Sequence, residues 1–202
     1  MSAIGAEWLI AAALAGGFLL GSIPFGVVFA KLRGVDLQKV GSGNIGATNA
    51  ARALGRGIGV LVLLCDAGKA ALPIVLARRL LAGEPRLDWI LAAIGGGAVL
   101  GHMFSPWLRG RGGKGVATGF GTFLVLAPFP AAIAAGAWVL LYALSRISSV
   151  GSLTALAVLP AALALHHEPR AYLALVLALD PVILWKHRDN IRRLVRREET
   201  KV

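Results

Sequence analysis

Cysteine is nearly absent: Cys65 stands alone among 202 residues. A single thiol excludes a disulfide framework within the chain and any zinc site built on cysteines. Acidic residues are scarce as well, ten in all, and never gather into an Asp-rich run. That argues against a phosphatidyl transferase with carboxylate-bound metal, and no metal or cofactor is expected. Charge as a whole is thin, 15% of residues against 57% apolar, and the mean hydropathy is +0.74. Such proportions leave the range of soluble domains and make lipid the natural solvent. Nor does the first apolar run, Trp8 to Ala30, carry a signal peptide's charge order, since Glu7 precedes it and Lys31 and Arg33 follow. It is expected to be a retained helix with its N-terminus outside.

What the chain does have is glycine, 26 residues, which with alanine lets transmembrane helices approach closely. It also has a net charge of +11. In a soluble protein that would suggest nucleic acid, but there is no base-reading motif and the cations sit between apolar runs and at the C-terminus. Seven apolar segments are long enough to be spans or near-spans, at roughly 7–30, 57–77, 88–104, 114–127, 129–145, 150–165 and 169–186. The stretch 115–145, with Pro128 and Pro130, reads either as two helices or as one kinked helix. Charge decides. Seven crossings with the N-terminus outside leave 16 Lys and Arg on the cytoplasmic side and four, Arg78, Arg79, Arg86 and Arg170, on the other. One long helix would put the basic tail outside. The expectation is therefore an all-α integral membrane protein, a seven-transmembrane-helix bundle with extracytoplasmic N-terminus and cytoplasmic C-terminus. Residues 1–202 form a single membrane domain with cytoplasmic active-site segments 31–56, 101–118 and 186–194.

The first such segment holds Gly41-Ser42-Gly43-Asn44-Ile45-Gly46-Ala47-Thr48-Asn49 and then Arg52. It contains G-x-G-x-x-G, yet no strand precedes it, so a dinucleotide fold is not implied. Glycines at this density let consecutive N–H groups converge on an anion, with Ser42, Asn44, Thr48 and Asn49 adding neutral donors. If the chain turns helical from Gly46, Arg52 lies one turn from Thr48 and can clamp a phosphate with its planar fork. The plainer reading is a polar surface loop.

The second segment, Gly101 to Thr118, carries Arg109, Arg111 and then Gly112-Gly113-Lys114-Gly115 opening a helix. The P-loop spacing is not met, so ATP hydrolysis is not implied. Phosphate charge would nonetheless meet backbone donors, a helix dipole and a cation there. Topology determination alone accounts for the cations and leaves the glycines unexplained. Two anion sites suggest two phosphorylated ligands.

In the third segment, Trp185 to Leu194, His187 and Asn190 share a face if the helix continues, one suited to base chemistry and the other to orienting a group. Arg192 to Lys201 reads as a basic tail on anionic headgroups. Asp66 and Lys69, at i, i+3 within a span, are expected to neutralise each other in the bundle interior. His102 is either catalytic or a helix-end hydrogen-bonding residue, and His166 and His167 belong to an outer turn.

At Gly41 to Arg52, Gly101 to Thr118 and His187-Arg188-Asp189-Asn190-Ile191 the chain resembles the PlsY family, bacterial acyl-phosphate-dependent glycerol-3-phosphate acyltransferases. Gly21-Ser22-Ile23-Pro24-Phe25-Gly26 extends the likeness. Asp189 and Arg111 depart from it, standing where glutamate and lysine are usual, as does Ser105-Pro106-Trp107-Leu108. The resemblance implies a multi-pass enzyme of the bacterial plasma membrane, with its active site facing the cytoplasm. It would move an acyl group from acyl phosphate to the 1-hydroxyl of sn-glycerol 3-phosphate, giving lysophosphatidic acid and inorganic phosphate for phospholipid biosynthesis.

By motif position, Ser42, Arg52 and Lys114 would bind substrate phosphate. Gly43, Asn44, Gly46, Thr48 and Asn49, with Gly112 and Gly113, would line the substrate site, and His187 and Asn190 would complete it, with Ser42 also in a catalytic role. Partners beyond these two small molecules and membrane lipid are not expected: no nucleic acid, no obligate protein. Because Cys65 lies in a span and no Ser-His-Asp set is spaced for nucleophilic work, direct transfer is simpler than a covalent acyl-enzyme. The base is either His187 or a substrate phosphate oxygen. A phosphate transporter is the rival reading, disfavoured because the polar motifs all fall on one side.

Overall fold

The computed structural model describes residues 3–201, with side chains from residue 7 onward. Among these residues there is no strand, and the chain forms ten α-helices: α1 (Ala3–Gly21), α2 (Phe25–Lys31), α3 (Ala47–Leu54), α4 (Arg56–Leu80), α5 (Leu87–Met103), α6 (Val116–Leu126), α7 (Pro128–Ser145), α8 (Ser148–Leu165), α9 (Arg170–Lys186) and α10 (Arg188–Val195). All seven apolar segments are thus helical over most of their length, the first of them as two helices. Among the described residues, five helical stretches have the length and apolarity to cross a membrane: Glu7–Lys31, Arg56–Leu80, Leu87–Leu108, Pro128–Ser145 and Ser148–Leu165. Helix α6 has 11 residues and α9 has 17. Leucines such as Leu72, Leu80, Leu144 and Leu165 are largely exposed, as a lipid solvent permits.

The chain divides into two compact units, Met1–Leu126 and Ala127–Val202. In the first, the opening apolar run is not one helix. It breaks over Ser22–Pro24 because proline offers no N–H and disfavours helical backbone at Ile23 before it. The carbonyl of Ile23, which would cost several kcal/mol unsatisfied in lipid, accepts a hydrogen bond from Lys69 Nζ at 2.9 Å.

Helices α1 and α5 meet backbone to backbone. A methyl group at Gly17 or Gly21 would collide with the main chain of Ile94 or Ala98, and one at Gly97 or Gly101 with that of Leu14 or Phe18. Small residues at matched heights on both helices are what close packing needs when no water is expelled. Gly121 on α6 sits against the backbone of Ala67 on α4 in the same way.

In the second unit, α7 starts at Pro128, whose missing N–H costs nothing at a first helical position. The backbone leaves the helical conformation at Ala127, with φ −142° and ψ 76°, so 115–145 is two helices. Arg146 closes α7 in the left-handed conformation, φ 61°. Gly151 on α8 then packs under Trp138 of α7, whose indole N–H donates to Ser152 Oγ at 3.2 Å.

Candidate active site

Between α2 and α3 the chain folds back on itself around one side chain. Asn49, in the first turn of α3 and 1% exposed, accepts the N–H of Ser42 on Oδ1 at 3.0 Å. Its Nδ2 donates to the carbonyls of Leu37, at 3.2 Å, and Val40, at 3.0 Å. Gly41 and Gly43 take positive φ, 58° and 69°, to complete the turn, and a Cβ at Gly41 would collide with Asn49 Oδ1. Glycine is required there twice over, by conformation and by space. Beneath the turn, Ala30, Leu37, Ile45, Ala50 and Val62 form a buried cluster, and the Ile45 carbonyl sits where Gly26 leaves room.

Ser42 is left exposed, with Asn44, Gly46 and Thr48 half-buried around it. Helix α3 begins after Gly46 without a side-chain cap, so its first N–H groups are a ready partner for an anion. Arg52 follows on the same helix, one turn from Thr48 and exposed. Earlier in the loop, the hydrogen bond from Lys39 to Asp36, with a separation of 3.1 Å, keeps the Asp36 carboxyl below its usual range.

The second loop is tied to the break in the first span. Ser105 Oγ donates to the Ser22 carbonyl at 2.7 Å, and Trp107 Nε1 donates to Ser22 Oγ at 2.8 Å. Arg109 and Gly110 turn the chain through positive φ, 53° and 76°. Gly112 and Gly113 then lie directly on the end of α5: a Cβ on either would collide with His102, and the Gly113 N–H donates to the His102 carbonyl at 3.0 Å. Lys114 is half-buried, and α6 starts two residues later. Behind this turn, Lys69 Nζ lies 2.8 Å from Asp66 Oδ1, the pair their spacing foretells, and both are buried.

The two glycine-bearing loops are neighbours. Gln38 Nε2 of the first donates to the Arg111 carbonyl of the second at 3.3 Å. Together they wall a cleft of about 730 Å³ lined by Lys31, Asp36 and Gln38 from one side and Trp107, Arg109 and Arg111 from the other. Backbone donors, a serine hydroxyl and several cations are thus gathered in one compact unit, which is chemistry for anionic oxygen.

In the other unit, α9 stops at Lys186 and α10 starts at Arg188, so the helix turns at His187 instead of running straight through. His187 and Asn190 are both buried while Arg188 and Asp189 are exposed. His187 Nδ1 lies 2.8 Å from the Ile183 carbonyl, which can only accept, so Nδ1 carries the proton. Asn190 Nδ2 donates to Glu199 Oε1 at 2.9 Å.

Residues 11–197 match the model of the glycerol-3-phosphate acyltransferase family. Relatives named glycerol-3-phosphate acyltransferase include one from Anaeromyxobacter dehalogenans, 53% identical over 97% of this chain and 98% of its own. Another, from Myxococcus xanthus, is 50% identical over 91% and 94%. Among solved structures, the glycerol 3-phosphate form of PlsY, an integral membrane glycerol 3-phosphate acyltransferase, superposes with a TM-score of 0.87. It has 37% identity and covers 98% of this chain and 96% of its own. Its lysophosphatidic acid form gives 0.86 at 36% identity. The chain belongs to the PlsY family.

In this PlsY-family acyltransferase, Ser42, Arg52 and Lys114 stand on or beside the two adjoining loops, as do the glycines predicted with them. His187 and Asn190 belong to the other unit. Reasoning from the sequence did not single out Gln38, the inter-loop bridge, or the buried alcohol pair Ser22 and Ser105. Only the helix break at Pro24 signalled that a polar group near Ser22 would need a partner. Nor did it foresee that Asn49 shapes the loop.

Proposed function

We propose that the protein transfers the acyl group of an acyl phosphate to the 1-hydroxyl of sn-glycerol 3-phosphate, releasing 1-acyl-glycerol 3-phosphate and inorganic phosphate. The supporting observation is the hydrogen bond from Gln38 to the Arg111 carbonyl, which joins two anion-binding loops into one surface. A bisubstrate reaction between two phosphorylated molecules needs that adjacency, because the protein's main task is to align two anions and offset their repulsion.

The hydroxyl oxygen attacks the acyl carbon, the carbon–oxygen bond to phosphate breaks, and the hydroxyl proton passes to a base. Ser42, Arg52 and Lys114 bind substrate phosphate. The turn amides at Gly43, Gly46, Gly112 and Gly113, with Asn44 and Thr48, hold the acyl-phosphate group and the developing oxyanion. Asn49 serves through the loop it ties together. His187 and Asn190 are assigned to the same reaction on the strength of their motif, and the Nδ1–H of His187 leaves Nε2 as the basic nitrogen of the neutral ring.

The reading extends to seven membrane crossings in a single domain of the bacterial plasma membrane. The N-terminus is outside and the three segments and the C-terminus are cytoplasmic, on the strength of the charge asymmetry. The product feeds phospholipid biosynthesis. To test the reaction, the protein is purified into lipid and given acyl phosphate with labelled glycerol 3-phosphate. Labelled lysophosphatidic acid is expected, and none from acyl-CoA. Product from acyl-CoA alone, or from neither donor, would overturn the proposal.

A further inference from the structure

Lys69 reaches from α4 to three partners: Asp66 Oδ1 at 2.8 Å, the Ile23 carbonyl at 2.9 Å and His102 Nδ1 at 2.9 Å. An ammonium has three protons and accepts none. With one proton on each partner, His102 Nδ1 is an acceptor. The same nitrogen lies 3.5 Å from Asp66 Oδ1, and the assignment is the one in which the Lys69–Asp66 ion pair is intact and Lys69 donates to the ring. A neutral imidazole that accepts at Nδ1 carries its proton on Nε2. That ring edge has a definite neighbour, since Nε2, Cε1 and Cδ2 of His102 are the atoms closest to a Cβ built on Gly113.

The glycine turn thus lies against the Nε2 edge of the imidazole, and the buried Lys69–Asp66 pair stands at its Nδ1 edge. Gly113 is also fastened to the same residue by its N–H, at 3.0 Å from the His102 carbonyl. We propose that His102 is a positioning residue for the Gly112–Gly113–Lys114 turn, its Nε2–H held toward that turn by Lys69 and Asp66 so that the turn keeps the shape that receives a phosphate. The inference rests on the assignment of this turn to substrate phosphate. It gives the intramembrane pair a role beyond mutual neutralisation: the pair fixes which ring nitrogen is the donor.

Two substitutions separate positioning from packing. In His102→Gln the amide nitrogen falls near the ring's Nε2 and keeps a donor at the tip. In His102→Asn the amide oxygen falls near Nδ1, so Lys69 keeps its acceptor while the tip is empty. Positioning predicts that His102→Asn raises KM for a phosphate substrate roughly tenfold, a loss of one hydrogen bond's order, and that His102→Gln stays near wild type in both KM and kcat. A packing role predicts the reverse order, and that result overturns the proposal.

Should neither variant fold, nitrogen-15 NMR decides on a variant whose other histidines, His166, His167 and His187, are glutamine. A His102 ring protonated on Nε2 alone is expected, and a proton on Nδ1 overturns the proposal. Wild type that forms no lysophosphatidic acid would instead sink the acyl-transfer reading, while the NMR result would still judge the tautomer.

Discussion

Asn49 Oδ1 accepts the backbone N–H of Ser42 across seven positions of chain, so the helix after the glycine turn supplies the clamp that shapes it. The same amide holds the carbonyls of Leu37 and Val40, and its burial leaves little room for water to replace it. Asn49→Ala leaves buried polar groups without their partner, at a cost of about 1–3 kcal/mol. Thermal unfolding in detergent should register that loss, and KM should rise because Ser42 is no longer held in place. Normal stability in Asn49→Ala would refute the clamp.

The cations on either side of the turn predict a different pattern, loss of binding without loss of fold. Arg52→Ala and Lys114→Ala each remove a charge-assisted hydrogen bond, about 1.5–3 kcal/mol, and should raise KM for glycerol 3-phosphate roughly 10- to 100-fold or abolish turnover. Both variants should still fold. Arg52→Lys should not restore the affinity, because an ammonium lacks the planar fork. Purified variants with unchanged kinetics would contradict the phosphate role.

Much of this arrangement was legible because it is local. Apolar runs marked the helices, the distribution of Lys and Arg split 115–145 into two helices where Pro128 and Pro130 left one kinked helix open, and helical spacing put Arg52 a turn beyond Thr48. The i, i+3 spacing of Asp66 and Lys69 likewise announced their pairing. What was not legible depends on chain segments that meet only on folding. His102 joins Lys69 from 33 residues away, and Gln38 meets Arg111 across 73. Pro24 did carry a local signal for the break in the first span, but apolarity alone reads straight through it, because hydropathy sees side chains and not missing N–H groups.

The close approach of α1 and α5 makes their glycines unequal. At Gly101 a methyl group would enter the Phe18 carbonyl, whereas at Gly16 nothing lies within 4 Å. Gly101→Ala should therefore lower thermal stability by an overpacking cost of about 1–3 kcal/mol. Gly16→Ala should be neutral or raise stability slightly, since alanine reduces the freedom of the unfolded chain. Equal melting temperatures for the two variants would mean that the helices do not meet along this seam.

The identity of the base can be read from one substitution that respects the hydrogen bond His187 already makes. In His187→Asn the side-chain amide can still donate to the Ile183 carbonyl, now 2.8 Å from Nδ1, so the turn between α9 and α10 should survive. What disappears is Nε2. If that nitrogen takes the hydroxyl proton, kcat should fall roughly 100- to 10,000-fold with little change in KM. If a substrate phosphate oxygen takes it, its second pKa near 6 already suits the task, and kcat should fall no more than a few-fold. Steady-state kinetics of the folded variant therefore choose between a protein base and a substrate base, and a rise in KM alone would assign His187 to binding instead.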